Sequence, residues 1–198
     1  SESMENDLGK RMLKESERIA DIVKSLLSFA RGGRDDKWPT RIDAVLREAL
    51  VLTQAQIRKE SICLETSLAD DLPEIEANFQ QIQQVFLNII NNARYALNEK
   101  YPSMHKNKVM KINGESVIIE GRAHLRVTFY DRGTGIPADK LSLLTRPFYS
   151  TKPFGKGTGL GLSITRRIIT DHGGRLTFES VEGEFSKVIV DLPVKGAQ

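Results

Sequence analysis

Cysteine is almost missing from this chain: Cys63 stands alone among 198 residues, so no internal disulfide can form and no Cys/His cluster with zinc spacing exists. Long apolar runs are missing too. No stretch approaches the roughly 18 apolar residues of a membrane span, and the first residues lack the basic and apolar regions of a signal peptide. Charge of one sign is scarce, with 29 Lys+Arg against 26 Asp+Glu giving a net +3, both signs interspersed. That pattern lacks the basic clustering on which nucleic-acid backbone binding depends. The expectation is therefore a cytoplasmic chain with no nucleic-acid partner and no membrane contact of its own. It opens on Ser1-Glu2-Ser3-Met4 and is expected to be a piece of something longer. What remains is ordinary globular material: 39% hydrophobic and 28% charged residues exclude disorder, collagen-like repeats and a disulfide scaffold. The length suits one domain plus an appendage, or two small domains.

From Leu8 to Arg31, Met12, Ile19, Val23, Leu26 and Ala30 follow three-and-four spacing between charged positions, which predicts a long amphipathic helix stopped by Gly32-Gly33. Its apolar seam calls either for a partner helix or for packing back on the main domain. A second helix is expected from Ile42 to Lys59 on Ile42, Val45, Leu46, Ala49, Leu50, Leu52 and Ile57, and then a strand in which Ile62, Leu64 and Thr66 face inward. Asp70 to Glu74 reads as a turn. Phe79 to Leu97 reads as a third helix with Ile82, Val85, Phe86, Ile89, Ile90, Ala93 and Leu97 inside. Strands follow at 109–112, 116–120 and 125–130, then a proline- and glycine-rich segment from Asp131 to Thr158 too long to lack a purpose. A helix from Leu160 to His172 and strands at 175–180 and 185–192 complete the chain. Helices on one side and a mostly antiparallel sheet on the other make a two-layer α/β sandwich.

Three short elements carry chemistry. Asn88, Asn91 and Asn92 interrupt the third helix, and Asn is a mediocre helix former because its amide competes for backbone hydrogen bonds. Asn88 and Asn92, four apart, share one face, where neutral amide oxygens suit Mg²⁺ that keeps waters and borrows phosphate oxygens; buried amides bonding to backbone are the plainer alternative. Asp131-Arg132-Gly133-Thr134-Gly135-Ile136-Pro137 follows a strand. A carboxylate there can accept a hydrogen bond from an exocyclic amine such as adenine's, and the glycines let backbone approach a flat ring. Gly155-Lys156-Gly157-Thr158-Gly159-Leu160-Gly161-Leu162 leads into a helix whose first N–H groups favour anions. It matches neither the P-loop nor the dinucleotide fingerprint.

In this order the elements resemble the catalytic domain of sensor histidine kinases. Asn88-Ile-Ile-Asn-Asn92-Ala is similar to its N box, Asp131 to Gly135 to its G1 box, Arg146-Pro-Phe148-Tyr149-Ser-Thr151-Lys152 to its F box, and Gly157-Thr-Gly159-Leu-Gly161-Leu to its G2 box. The resemblance spans about residue 40 to residue 194. It implies the ATP-binding fold shared with gyrase, the ninety-kilodalton heat-shock chaperone and MutL, here at 37–198. The resemblance further implies that Asn92, assisted by Asn88, holds Mg²⁺ and that Asp131 binds the adenine amine. The segment from Leu144 to Thr158 would cover the phosphates, with Lys152 and Lys156 meeting their charge. Tyr95, Gly133, Gly135, Ile136, Phe148, Thr151, Gly157, Thr158, Gly159, Leu160, Gly161, Leu162 and Ser186 complete the implied ATP pocket, Ser186 standing where many relatives carry Thr. Arg132 replaces the Asn frequent after this Asp.

Residues 1–36 resemble the second helix of the dimerisation and phosphoacceptor hairpin, which implies a homodimer in the parent protein and a response-regulator receiver domain as partner. The first helix, with its acceptor histidine, has no counterpart in the sequence. His105, His124 and His172 do not sit on a helix before an acidic residue, as an acceptor does. Relatives that hydrolyse ATP place a Glu four residues before the metal-binding Asn to deprotonate water, and here that position is Asn88. An amide takes no proton, whereas a neutral imidazole already offers a lone pair. The expectation is histidine phosphorylation with poor hydrolysis; the alternative is a degenerate nucleotide-binding module that dimerises or scaffolds.

Overall fold

The structure, a computed structural model, describes residues 36–153 and 157–194, together with Met12 and Ser16. Apart from those two positions, the helix expected from Leu8 to Arg31 lies outside the described residues, as does Lys156. In order come β1 (Trp38–Thr40), α1 (Ile42–Lys59), β2 (Cys63–Leu68), β3 (Ile75–Ala77), α2 (Phe79–Lys100), β4 (Val109–Ile119) and β5 (Arg122–Asp131). A short α3 (Ala138–Leu141), then α4 (Gly161–Asp171), β6 (Arg175–Val181) and β7 (Phe185–Pro193) follow. No helix among the described residues is long and apolar enough to cross a membrane.

The main sheet has the order β2-β4-β5-β7-β6, parallel between β2 and β4 and antiparallel elsewhere. Alternation sorts its faces. Leu125, Val127 and Phe129 of β5 are buried against the helices, whereas Arg126 reaches across the opposite face to Asp191 at 2.7 Å. Lys111–Glu65 and Lys187–Glu179 pairs lie on the same polar side as Arg126. The helices supply the other half of the core. Val45, Leu46 and Ala49 of α1 and Ile82, Val85, Phe86, Ile89 and Ile90 of α2 are buried, and the Phe86 and Phe129 rings meet at 5.3 Å between centroids. Each such Val, Leu, Ile or Phe side chain contributes about 1.5–3 kcal/mol on burial.

Several local expectations are corrected. The two strands at 109–112 and 116–120 are one, because Asn113, Gly114 and Glu115 stay in register with Thr128, Val127 and Arg126. Gly114 makes room for Leu68, whose Cδ2 would lie 2.6 Å from a Cβ there. Leu52 is exposed, and Thr53 takes the inward place by donating its hydroxyl to the Ala49 carbonyl. Thr66, expected inside, is exposed on the edge strand. Trp38–Thr40 and Ile75–Ala77 pair as a two-stranded antiparallel sheet that local sequence did not signal, each being too short to show alternation. The α3 turn inside the long segment was likewise unforeseen.

Candidate functional site

Helix α2 is the ruler of the site. Asn78 caps it, accepting from the Gln81 N–H at 3.0 Å, and the Asn78 N–H donates to His172 Nε2 at 3.1 Å. His172 Nδ1 meets the Ile168 carbonyl at 2.7 Å, so this buried ring ties the end of α4 to the start of α2. Along α2, positions 88, 92, 96 and 100 recur at four-residue intervals on one stripe of about 18 Å. Each meets a different part of the surroundings.

At the first position, Asn88 donates its amide N–H groups to the Gly161 carbonyl at 3.1 Å and to Thr165 Oγ1 at 3.3 Å. The nitrogen is committed to α4, and Oδ1 is the end that can serve a ligand. At the second, Asn92 Oδ1 accepts from Lys152 Nζ at 2.9 Å, and the same ammonium lies 4.5 Å from the centroid of the Tyr95 ring. Burial pulls the Lys152 pKa below its ordinary value against the nearby Glu99 charge, and burial with Glu99 raises that of Tyr95. At the third, Ala96 packs on Gly133, where a Cβ would come within 2.6 Å of both Ala96 Cβ and Asp131 Oδ1. At the fourth, Lys100 Nζ donates to the Gly183 and Glu184 carbonyls, holding the tip of the β6–β7 hairpin.

Asp131 ends β5 and is 4% exposed, opposite Ser186 of β7. Burial pushes its carboxyl up to about 7, although the Gly133 N–H donates to Oδ1 at 2.8 Å and Lys100 contributes a favourable charge. Gly135 has φ +64 and sits so close to the hairpin that a Cβ would be 2.1 Å from the Val181 carbonyl oxygen; the Ile136 N–H donates to Ser180 Oγ at 2.8 Å. Ser186 is buried, its hydroxyl 3.5 Å from that of Ser180.

Before α4, Gly159 has φ +68 and would drive a Cβ to 2.4 Å from the Phe148 carbonyl carbon, while Phe148 itself has φ +64. Gly157 lies over Lys152, Thr158 Oγ1 accepts from the Leu160 N–H, and Leu160 is buried in the core. Gly161 and Leu162 open α4, whose first N–H groups have no intrahelical acceptor. Phe148 and Thr151 are exposed.

Asn88, Asn92, Tyr95, Lys152, Gly157 and the start of α4 therefore gather at one end of the stripe, and Asp131, Gly133, Gly135, Ile136 and Ser186 at the other. Asn91 belongs to neither: its Oδ1 accepts from Arg94 Nη1, and Arg94 also grips Glu60, which caps the C-terminus of α1. Burial pushes the Glu60 carboxyl up, but hydrogen bonds from Arg94 and Asn98 outweigh it and hold the group below its usual range. Lys100 and Thr165 escaped the sequence reading, although Lys100 falls on the Asn88–Asn92 spacing and was open to discovery that way. Among the described residues no group of three or more His, Cys, Asp or Glu could hold a metal ion. The amide oxygens are neutral hard donors of the kind magnesium takes beside water and phosphate oxygens: Asn88 has its nitrogen tied to α4 and so presents Oδ1, and Asn92 Oδ1 is the acceptor of the Lys152 ammonium.

A mixed five-stranded sheet backed by helices, with the amide stripe of α2 beside the start of α4, is the architecture of an ATP-binding α/β sandwich. The chain belongs to the family described as histidine kinase-, DNA gyrase B- and HSP90-like ATPase, whose model matches residues 77–196. Sporulation kinase E of Bacillus subtilis (strain 168) is 30% identical over 185 residues, 91% of this chain and 23% of that protein. Sensor histidine kinase ZraS of Escherichia coli (strain K12) is 29% identical over 189 residues, 96% of this chain and 38% of that protein. The catalytic domain of histidine kinase ThkA is 31% identical, with a TM-score of 0.63 over 80% of this chain and 97% of that one. The same kinase in complex with the response regulator protein TrrA is 26% identical, with a TM-score of 0.68 over 90% of this chain and 48% of that one. The chain spans less than half the length of these curated relatives.

Proposed function

We propose that this chain is the ATP-binding catalytic part of a sensor histidine kinase, which transfers the γ-phosphoryl group of ATP to a histidine outside residues 1–198, for relay to an aspartate of a response-regulator receiver domain. The reading is carried by the α2 stripe, with two amides at one end, a buried carboxylate at the other, and no carboxylate at position 88.

Asp131 accepts from the exocyclic amine of adenine, Gly133 keeps the space beside that carboxylate free of a side chain, and Gly135 lets the loop close on the β6–β7 hairpin. Ser186, beside Asp131, offers a hydroxyl to the same ring. Asn88 and Asn92 would hold a magnesium ion through their amide oxygens. That ion, when bound, neutralises charge on the β- and γ-phosphates. The N–H groups at Gly161 and Leu162 face the phosphates, and Lys152 meets charge that develops on the transferred group. No residue at position 88 deprotonates water, so transfer favours a nucleophile with its own lone pair. Residues 1–36 are assigned to the dimerisation region, in keeping with the match of sensor histidine kinase ZraS to 96% of this chain.

The test supplies the missing acceptor helix in trans, or uses the longer parent chain, with γ-labelled ATP and Mg²⁺. Acid-labile, base-stable phosphate on histidine is the expected product. Absence of that product, together with Mg·ATP affinity no different in Asp131→Ala, would leave a scaffold instead of a kinase.

A further inference from the structure

The ammonium of Lys152 sits on the oxygen that the proposed function gives to magnesium. Lys152 Nζ lies 2.9 Å from Asn92 Oδ1 and 4.5 Å from the Tyr95 ring centroid, an ammonium held by an amide dipole and an aromatic face together. The side chain is seated from both ends. Its backbone N–H donates to Ser150 Oγ at 3.1 Å, and a Cβ on Gly157 would touch Lys152 Cδ at 3.1 Å, so that position is kept bare above the lysine stem. A carboxylate at position 92 could balance two cations. A neutral amide cannot, since two positive charges sharing one oxygen repel without a compensating negative charge.

We propose that Lys152 is a specificity-determining residue that competes with the divalent cation for Asn92 Oδ1, so that metal enters only with phosphates able to draw the ammonium away. This rests on the ATP-site reading above. A free divalent ion meets an oxygen already engaged by a cation. A metal–nucleotide complex brings negative charge that gives Lys152 a better partner and frees the amide. A diphosphate offers less of that charge than a triphosphate, so the competition weighs more heavily on Mg·ADP than on Mg·ATP.

The experiment is titration calorimetry on the full 198-residue chain with adenosine, with ADP in EDTA, and with Mg·ADP and Mg·ATP, comparing Lys152→Met and Lys152→Gln with the parent. Both variants are expected to bind adenosine as the parent does and to bind Mg·ADP about threefold to tenfold more tightly, since an ammonium–amide bond no longer has to be broken. That gain disappears in EDTA, and Mg·ATP binds more weakly in both variants. Normal adenosine binding with Mg·ADP affinity unchanged or weakened in both variants overturns the competition alone. Adenosine bound by no form, the parent included, overturns the ATP-site reading and the competition with it.

Discussion

Asn88 and Thr165 lie 77 positions apart and are joined side chain to side chain, amide nitrogen to hydroxyl oxygen, at 3.3 Å. Thr165 is completely buried, so its hydroxyl is there for that amide and not for water. Thr165→Val keeps the shape and removes the acceptor. It is expected to cost about 1 kcal/mol in urea unfolding and to weaken Mg·ATP binding severalfold while sparing adenosine.

Asn88→Glu introduces the proton acceptor that position 88 lacks. Mg²⁺-dependent phosphate release from ATP is expected to rise about tenfold or more over the parent. Strong hydrolysis by the unmodified chain would contradict the role given to the amide.

Folding favours the protonated form of Asp131, because its carboxyl stands at about 7 in the fold against an ordinary 3.8. Its contribution to stability is therefore complete below about pH 4 and is lost as pH rises through about 7. Adenosine binding runs the opposite way, since the ionised carboxylate is the stronger acceptor. Calorimetry should show affinity increasing by about fivefold from roughly pH 6 to 8. Asp131→Asn flattens that profile.

Gly159→Ala and Gly121→Ala both place a side chain at positive φ, +68 and +75, but only Gly159 has backbone within 2.4 Å of the added carbon. Thermal unfolding should register about 1–2 kcal/mol for Gly121→Ala and clearly more for Gly159→Ala. The latter alone should also weaken Mg·ATP binding.

Arg94, with only 13% of its side chain exposed, pairs with Glu60. Arg94→Ala leaves that part-buried carboxylate without its charged donor, and should cost about 2–3 kcal/mol in urea unfolding. Adding Glu60→Gln to that variant should recover part of the loss, because the stranded charge is then gone.

The sequence was enough to place α1, α2 and α4 within a few residues, since their apolar spacing is long enough to repeat. It was also enough to order the amides, the carboxylate and the glycines, since these residue types are locally costly or permissive wherever they stand. Tertiary structure alone decided the rest. That Asn91 pairs with Arg94 instead of joining the site was settled by the reach of Arg94 to Glu60, and that Asn88 is fixed through Thr165 was settled by α4 packing on α2 there. The union of two expected strands into β4, the pairing of Trp38–Thr40 with Ile75–Ala77, and the seat of Lys152 on Asn92 all depend on partners outside the local stretch of sequence. Local sequence encodes a residue's own preferences, whereas hydrogen-bond partners and charges are chosen by whatever the fold brings within about 3 Å.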